Sequence, residues 1–394
     1  MTLHLIARIK AVKHWLKRHT RQNGVQPSSF IISPPVNLKG RFCQNPFQQY
    51  DLDTQGNVYV CCSRWLPTPI GNMFDDTMLN IWNSDTAQMI RKSIIDGNFQ
   101  YCDHSICPAI QNNSLQTRDK ASNKVKFKDI INSGRVIIDQ PSFVNLCNDY
   151  SCNLTCPSCR TNKINHTSGY QYTRIQKLQK MLEQQLFSLP QKKPLVINVT
   201  GSGDPFASKV YRRFLYALDH NNFPNLTLNL QTNGVLFTPR NWQRLHKIHN
   251  NIGTVLISID AACEYTYNMT RPGGNWGQLM KNLAFLMLKR RAGKINFIRL
   301  DFVVQKDNYL EIPAFVELAK KFGVDQVCFS MILDWGVMHI TTFNEKCIWK
   351  ESHPDHPVFL KVLASPVLDH SIVDLGNLSH YREPKHETEI KKEI

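Results

Sequence analysis

A repeated strand-then-helix pattern, beginning near Arg135, constrains this chain more than any other feature. Six segments read as strands: Ser142–Cys147, Pro194–Thr200, Leu226–Gln231, Gly253–Asp260, Asn296–Val304 and Gln326–Ile332. Five segments between them read as helices: Thr173–Phe187, Ala207–Asp219, Pro239–His249, Trp276–Arg291 and Leu310–Phe322. Such alternation predicts a parallel α/β sheet or an open barrel. Segments such as Val255–Ile259 read as apolar on both faces, as buried parallel strands do. Ligands in these folds sit at the C-terminal ends of the strands, so chemistry is expected on the loops that follow them.

The first of those loops carries Cys152, Cys156 and Cys159, spaced C-x3-C-x2-C. Three thiolates are one short of the four that close an iron–sulfur cluster or a structural zinc. A cluster held this way keeps one iron without a protein ligand, open to a small molecule. The plainer alternative is a zinc site with His166 as fourth ligand. Strand two ends in Val199-Thr-Gly-Ser-Gly-Asp-Pro-Phe206, where small residues let backbone approach a ligand closely and Asp204 either accepts from an ammonium or caps the turn. Strand three ends in Gln231-Thr-Asn-Gly234, and strand four in Ser258-Ile-Asp260 with Arg271 beyond. A serine can bond a ribose or carboxylate, and a guanidinium matches a carboxylate bidentately. An N-cap and a surface arginine are the alternative.

These motifs resemble the radical S-adenosylmethionine (radical SAM) superfamily, over roughly residues 135–335. The resemblance implies a partial (β/α)6 barrel, with a [4Fe-4S] cluster on Cys152, Cys156 and Cys159 and S-adenosylmethionine (SAM) on its open iron. Reductive cleavage of SAM then yields a 5′-deoxyadenosyl radical that abstracts hydrogen from a substrate. Two departures stand out: Ser158 replaces the usual aromatic, and Ser202-Gly203-Asp204-Pro205 replaces Gly-Gly-Glu-Pro. The implied SAM contacts are Gly201, Ser202, Gly203, Asp204, Asn233, Ser258 and Arg271.

A second cysteine set precedes the repeat: Cys43, the pair Cys61 and Cys62, then Cys102 and Cys107. Tyr50–Val60 reads as a hairpin turning at Gly56-Asn57, and residues 77–96 as helical. This segment resembles SPASM and twitch domains, which hold auxiliary iron–sulfur clusters and usually follow the barrel. The expected ligands are Cys43, Cys61, Cys102 and Cys107, with Cys62 as the alternative to Cys61, because neighbours on a strand point opposite ways. A zinc ribbon-like site suits four thiolates too. Cys147 and Cys328 are read as buried in apolar strands, and His353 and His356 as part of a surface turn. Asp260, Asp301 and Ser330 are expected to shape a substrate pocket.

The organisation expected is a basic amphipathic helix over 1–22, a linker over 23–40, a SPASM-like domain over 41–110, a polar linker over 111–134, the barrel over 135–335 and a C-terminal extension over 336–394. No run of about 18 apolar residues exists, so no transmembrane helix is expected. The first ten residues do not read as a signal peptide, because Arg8 and Lys10 interrupt the apolar stretch. Twelve closely grouped cysteines without an export signal suit metal binding in the cytoplasm rather than disulfides. A formal net charge of +16 favours anionic partners, but no RNA-binding module is recognised, so nucleic acid is not the favoured partner. The resemblance implies a reductant such as flavodoxin or ferredoxin, and a peptide or a small sugar-like alcohol as substrate. A non-catalytic electron carrier and a nucleic-acid-modifying enzyme are the rival readings.

Overall fold

The computed structural model describes residues 37–188 and 193–382, so the expected basic helix and nearly all of the first linker lie outside the described residues. From Leu38 onward the chain groups into one compact unit. Its strands are β1 (Arg41–Phe42), β2 (Gln49–Asp53), β3 (Asn57–Tyr59), β4 (Gly71–Asn72), β5 (Gln116–Thr117), β6 (Phe143–Cys147), β7 (Leu195–Val199), β8 (Leu226–Thr232), β9 (Ile252–Ser258), β10 (Phe297–Val304), β11 (Gln326–Met331) and β12 (Val373–Asp374).

Strands β6 to β11 lie side by side in chain order and run parallel. Because every crossover steps the same way and right-handed connections are the rule, the helices fall on one face. Val144, Leu146, Ile197, Val199, Leu228, Leu230, Val255, Ile257, Leu300, Phe302, Val327 and Phe329 point to that face and are fully buried. The other face is different. Asn145, Asn229, Gln231, Ser258, Arg299, Asp301, Cys328 and Ser330 alternate with the core residues and stay half-buried. The strands are therefore not apolar on both faces. One face is helix-covered, and the other is the polar wall of a partial (β/α)6 barrel. Cys147 and Cys328 stand on this polar wall rather than in an apolar layer.

The cysteine-rich segment continues the same sheet. β2 runs parallel to β6, from Gln49 opposite Phe143 to Asp53 opposite Cys147. β3 and β4 follow antiparallel, giving ten strands in the order β12-β11-β10-β9-β8-β7-β6-β2-β3-β4. Gly56 turns the β2–β3 hairpin at φ +83°, where a Cβ would sit 2.8 Å from both Asn72 Oδ1 and the Phe74 ring. The helical stretch splits at Ser84 into Met78–Trp82 and Asp85–Asp96, each begun by a hydroxyl cap, from Thr77 and Ser84.

The stretch 111–134, expected as a linker, is folded. Gln116 and Thr117 pair antiparallel with Phe42 and Arg41, Thr117 caps the helix Arg118–Ser122, and a helix over Val125–Ser133 buries Phe127 and Ile130. Phe127 reaches Phe42 with ring centroids 5.6 Å apart. The C-terminal extension is folded to Arg382: β12 pairs with β11, and Asn377 Oδ1 accepts from the Met331 amide at 2.8 Å. His353 and His356 are buried rather than in a surface turn. Their ring nitrogens meet the carbonyls of Glu345 and Ile348, each at 3.0 Å.

Candidate metal centre

The loop after β6 is shaped by Asp149. Its Oδ1 accepts from the Ser151 amide and hydroxyl, and its Oδ2 from the Ser208 hydroxyl at 2.6 Å. The Cys152 amide donates to Ile164 O at 2.8 Å, and the Thr155 amide to Pro272 O at 3.0 Å, which holds the loop against the segment after β9. Cys152 and Cys156 are buried and Cys159 is exposed.

Each of the three sulfurs faces a donor from a different place. Asn233 Nδ2 lies 3.7 Å from Cys152 Sγ, Arg271 Nη1 3.9 Å from Cys156 Sγ, and Arg160 Nη2 3.2 Å from Cys159 Sγ. The Leu154 amide adds a contact to Cys152 Sγ at 3.5 Å. Burial pushes the Cys152 thiol up to about 11, and Asp204 adds to the rise. Burial raises Cys156 as well, against the pull of Arg271. Thiols in this state keep their protons until a metal displaces them.

Gly201 and Gly203 have no room for a side chain. A Cβ on Gly203 would lie 2.5 Å from Asp149 O and 2.7 Å from Ser151 O, and one on Gly201 would lie 2.5 Å from Cys147 Sγ. Both glycines are thus demanded by close packing of the second loop on the first. Ser202 Oγ donates back to Cys147 O at 3.0 Å. Asp204 is fully buried and its carboxylate is saturated: Oδ1 accepts from the Phe206 and Ala207 amides, and Oδ2 from Thr232 Oγ1 at 2.7 Å and the Asn233 amide at 3.0 Å. It braces the β8 loop instead of presenting a free oxygen to an ammonium. Ser258 stands on the polar wall opposite Asp301 in β10. Asp301 in turn holds Arg299 at 2.6 Å, and Asp260 holds Arg271 at 2.6 Å. Asp260 sits at φ +60°, a left-handed backbone that is uncommon outside glycine and concentrates at functional sites.

Three further residues belong to this site and were not singled out in the sequence: Asp149, Arg160 and Tyr267. Burial works against the Arg160 charge, but the nearby sulfurs of Cys159, Cys152 and Cys156 outweigh it and raise its pKa. The hydroxyl of Tyr267 and Nε of Arg271 are buried polar atoms without a protein partner. Buried polar groups are normally satisfied, so this pair beside the cysteine loop leaves donors to spare for a bound group.

In the second cysteine set, burial pushes Cys43 up to about 11 and Cys102 up to about 12. Cys107 acts on both of these, and Cys43 acts on Cys61 and Cys102. Cys62 is raised by burial and by Asp51, and Cys147 lies with it and Asp51. Asn45 Nδ2 reaches Cys61 Sγ at 3.7 Å. Burial and Cys43 raise Cys61, which also lies near Cys62 and Asp51.

Among the described residues, no three Cys, His, Asp or Glu side chains converge closely enough for a single metal ion. All-thiol donor sets of this kind suit an iron–sulfur cluster, as they suit zinc.

Radical SAM superfamily sequences match residues 150–298, and the SPASM iron–sulfur cluster-binding domain matches residues 43–108. No curated protein matches the sequence. Among solved structures, the chain is similar to Streptococcus suis SuiB bound to S-adenosylmethionine, at 13% identity over 75% of this chain and 63% of that one, with a TM-score of 0.39. It is also similar to anSMEcpe with bound AdoMet, at 18% identity over 55% of this chain and 56% of that one, TM-score 0.39. A third likeness is TYW1 with a lysine-pyruvate adduct bound, at 18% identity over 56% of this chain and 70% of that one, TM-score 0.33. The two matched domains imply a SAM-binding [4Fe-4S] cluster and an auxiliary cluster. The chain thus carries a region that matches the radical SAM superfamily, with a region that matches the SPASM iron–sulfur cluster-binding domain ahead of it.

Proposed function

We propose that this chain is a radical SAM enzyme that oxidises or otherwise modifies a peptide or a small sugar-like alcohol. The observation that carries the reading is the loop after β6, where three thiols each have a separate polar donor at the C-terminal ends of parallel strands. Cys152, Cys156 and Cys159 would hold the SAM-binding cluster, and Cys43, Cys61, Cys102 and Cys107 the auxiliary one. Loaded with cluster and SAM, the site supplies a 5′-deoxyadenosyl radical able to take a hydrogen atom from substrate.

The chain's own residues do the rest. Gly201 and Gly203 let the β7 loop lie against the cysteine loop. Asp204 fixes Asn233, whose amide reaches Cys152. Asp260 fixes Arg271, whose spare Nε and the Tyr267 hydroxyl offer donors for a carboxylate or ribose. Ser258 is a further SAM contact in this reading. The polar wall of Asn145, Asn229, Gln231, Asp301 and Ser330 suits a substrate rich in amides or hydroxyls. A one-electron donor such as flavodoxin or ferredoxin would serve the cluster, and twelve free cysteines suit a reducing, cytoplasmic setting. No helix among the described residues is long and apolar enough to cross a membrane.

Anaerobic reconstitution followed by SAM and dithionite tests the reading. Wild type is expected to form 5′-deoxyadenosine and Cys156→Ala none; turnover retained in Cys156→Ala overturns it. Cys102→Ala is expected to lose about four irons per chain and keep SAM cleavage, as one four-thiolate cluster requires. Loss of zinc in place of iron would replace the auxiliary cluster by a structural site.

A further inference from the structure

Two guanidiniums lie against the cysteine loop, that of Arg160 buried and that of Arg271 partly buried, and they differ in one respect. Arg271 is neutralised by Asp260 at 2.6 Å, and its Nη1 stands 3.9 Å from Cys156 Sγ. Arg160 is 7% exposed, and its partners are two carbonyls and a sulfur: Tyr150 O at 2.6 Å, Ser202 O at 2.9 Å and Cys159 Sγ at 3.2 Å. Among the described residues no carboxylate pairs with it, whereas the ion pairs of Arg271, Arg290, Arg299 and Arg382 each use one. A buried, unpaired cation is costly unless a nearby negative charge offsets it. Three thiolates, or a cluster built on them, supply that charge.

We propose that Arg160 is a positioning residue that raises the reduction potential of the cluster on Cys152, Cys156 and Cys159, through its bond to the Cys159 sulfur and its uncompensated positive charge. The inference rests on the radical SAM reading of the same loop. Adding one electron makes the cluster one unit more negative, so a fixed cation in a poorly solvated site favours the reduced form. Arg271 contributes far less, because Asp260 cancels its charge. The two carbonyl bonds place the Arg160 guanidinium by tying the cysteine loop to the β7 loop.

The test is an anaerobic redox titration of reconstituted wild type, Arg160→Gln and Arg160→Lys. The signal followed is the one electron-paramagnetic resonance feature that changes when SAM is added, which separates the barrel cluster from the auxiliary one. Iron per chain is counted in parallel. Arg160→Gln keeps an amide donor and loses the charge. At the wild-type midpoint its ratio of reduced to oxidised cluster is expected to fall about tenfold, a downward shift of about 59 mV for one electron. Arg160→Lys keeps the charge and is expected to stay within about threefold of wild type, about half that shift on the same scale. An unchanged midpoint in Arg160→Gln, or equal shifts in both variants, overturns the proposal. If Arg160→Gln takes up no barrel cluster, Arg160→Lys decides: wild-type iron and midpoint support the charge, and loss of iron in both variants leaves only a structural tie. A wild type that shows this ordering of midpoints but forms no 5′-deoxyadenosine overturns the enzyme reading and leaves the role of Arg160 standing. A wild type that holds no SAM-responsive cluster overturns both.

Discussion

Asp51 carries a buried carboxylate near Cys61, Cys62 and Cys147. It accepts from Gln49 Nε2 at 2.8 Å and Asn145 Nδ2 at 3.2 Å, and Asn145 accepts in turn from Asn198 at 2.8 Å. Burial outweighs those two donors and lifts its pKa to about 6. The folded value lies above the ordinary 3.8, so the fold favours the protonated acid. Its contribution is complete below about pH 4 and is lost as the pH rises through 6. A rise of about two pKa units corresponds to roughly 3 kcal/mol. Asp51→Asn should therefore leave the metal-free chain as stable as wild type at pH 4 and make it more stable at pH 8, by up to about that amount. Urea unfolding of both chains at the two pH values measures this, and equal stabilities at pH 8 would refute it. Sequence reading at this scale singled out the cysteines and the glycines, because spacing and smallness are visible in a string of letters. It could not show all four donors of Asp204, which come from residues 206, 207, 232 and 233, a convergence only the folded loops create. Arg160 was passed over because nothing in its neighbours' identities reveals which carbonyls it will meet.

Helix Asp85–Asp96 has one interior residue that joins four pieces of chain. Arg91 is fully buried; its guanidinium donates to Pro46 O, Trp82 O and Val136 O, each at 2.8 Å, and to Asn83 Oδ1 at 3.0 Å. It also lies over the Trp82 ring, 4.2 Å from the centroid. The turn it holds, Asn45–Phe47, follows Cys43 and presents Asn45 to Cys61. Arg91→Met keeps most of the volume but strands three carbonyls. With one to three kcal/mol for each unsatisfied buried group, partly relieved by water, a loss of about 4 kcal/mol is expected. Denaturant midpoints measure it, and a change under about 1 kcal/mol, the size of an ordinary surface substitution, would show the carbonyls to be satisfied otherwise. A second expected effect is lower auxiliary iron with the barrel cluster retained. Elements with strong periodicity were legible: the parallel strands, the crossover helices and the hairpin at Gly56. The helices within 118–133 were not, because Lys120, Lys124, Lys126 and Lys128 make the segment look like a solvated linker while only Ala121, Phe127 and Ile130 reach the core.

Across the whole molecule, the SPASM region and the barrel share one sheet rather than meeting as separate bodies. β2 continues the edge at β6, and the opposite edge ends in β12. The two ends come back together through side chains. The short helix Pro108–Gln111, directly after Cys107, is followed by Asn112, whose Nδ2 donates to Gly376 O and whose Oδ1 meets His380 Nδ1 at 3.3 Å. Gly376 begins the turn that packs on β11, and a Cβ there would lie 2.3 Å from Phe329 O. A partial barrel is open along one side, and this contact carries the auxiliary-site loop across to the far strand. The sequence could not reveal the closure, because its partners lie 264 and 268 positions apart. Asn112→Ala removes both bonds while leaving the cysteines and the sheet untouched. Losing a polar contact of this kind costs about 1 kcal/mol, too little to unfold the chain but enough to raise local opening roughly fivefold. Amide hydrogen exchange should therefore quicken at residues 373–382 and 108–113, with β6 to β10 unchanged. Equal protection of 373–382 in both chains would mean that β12 and Asn377 alone hold the C-terminal segment. Exchange that quickens through the central strands would mean that the contact supports the barrel as a whole rather than only its closing edge.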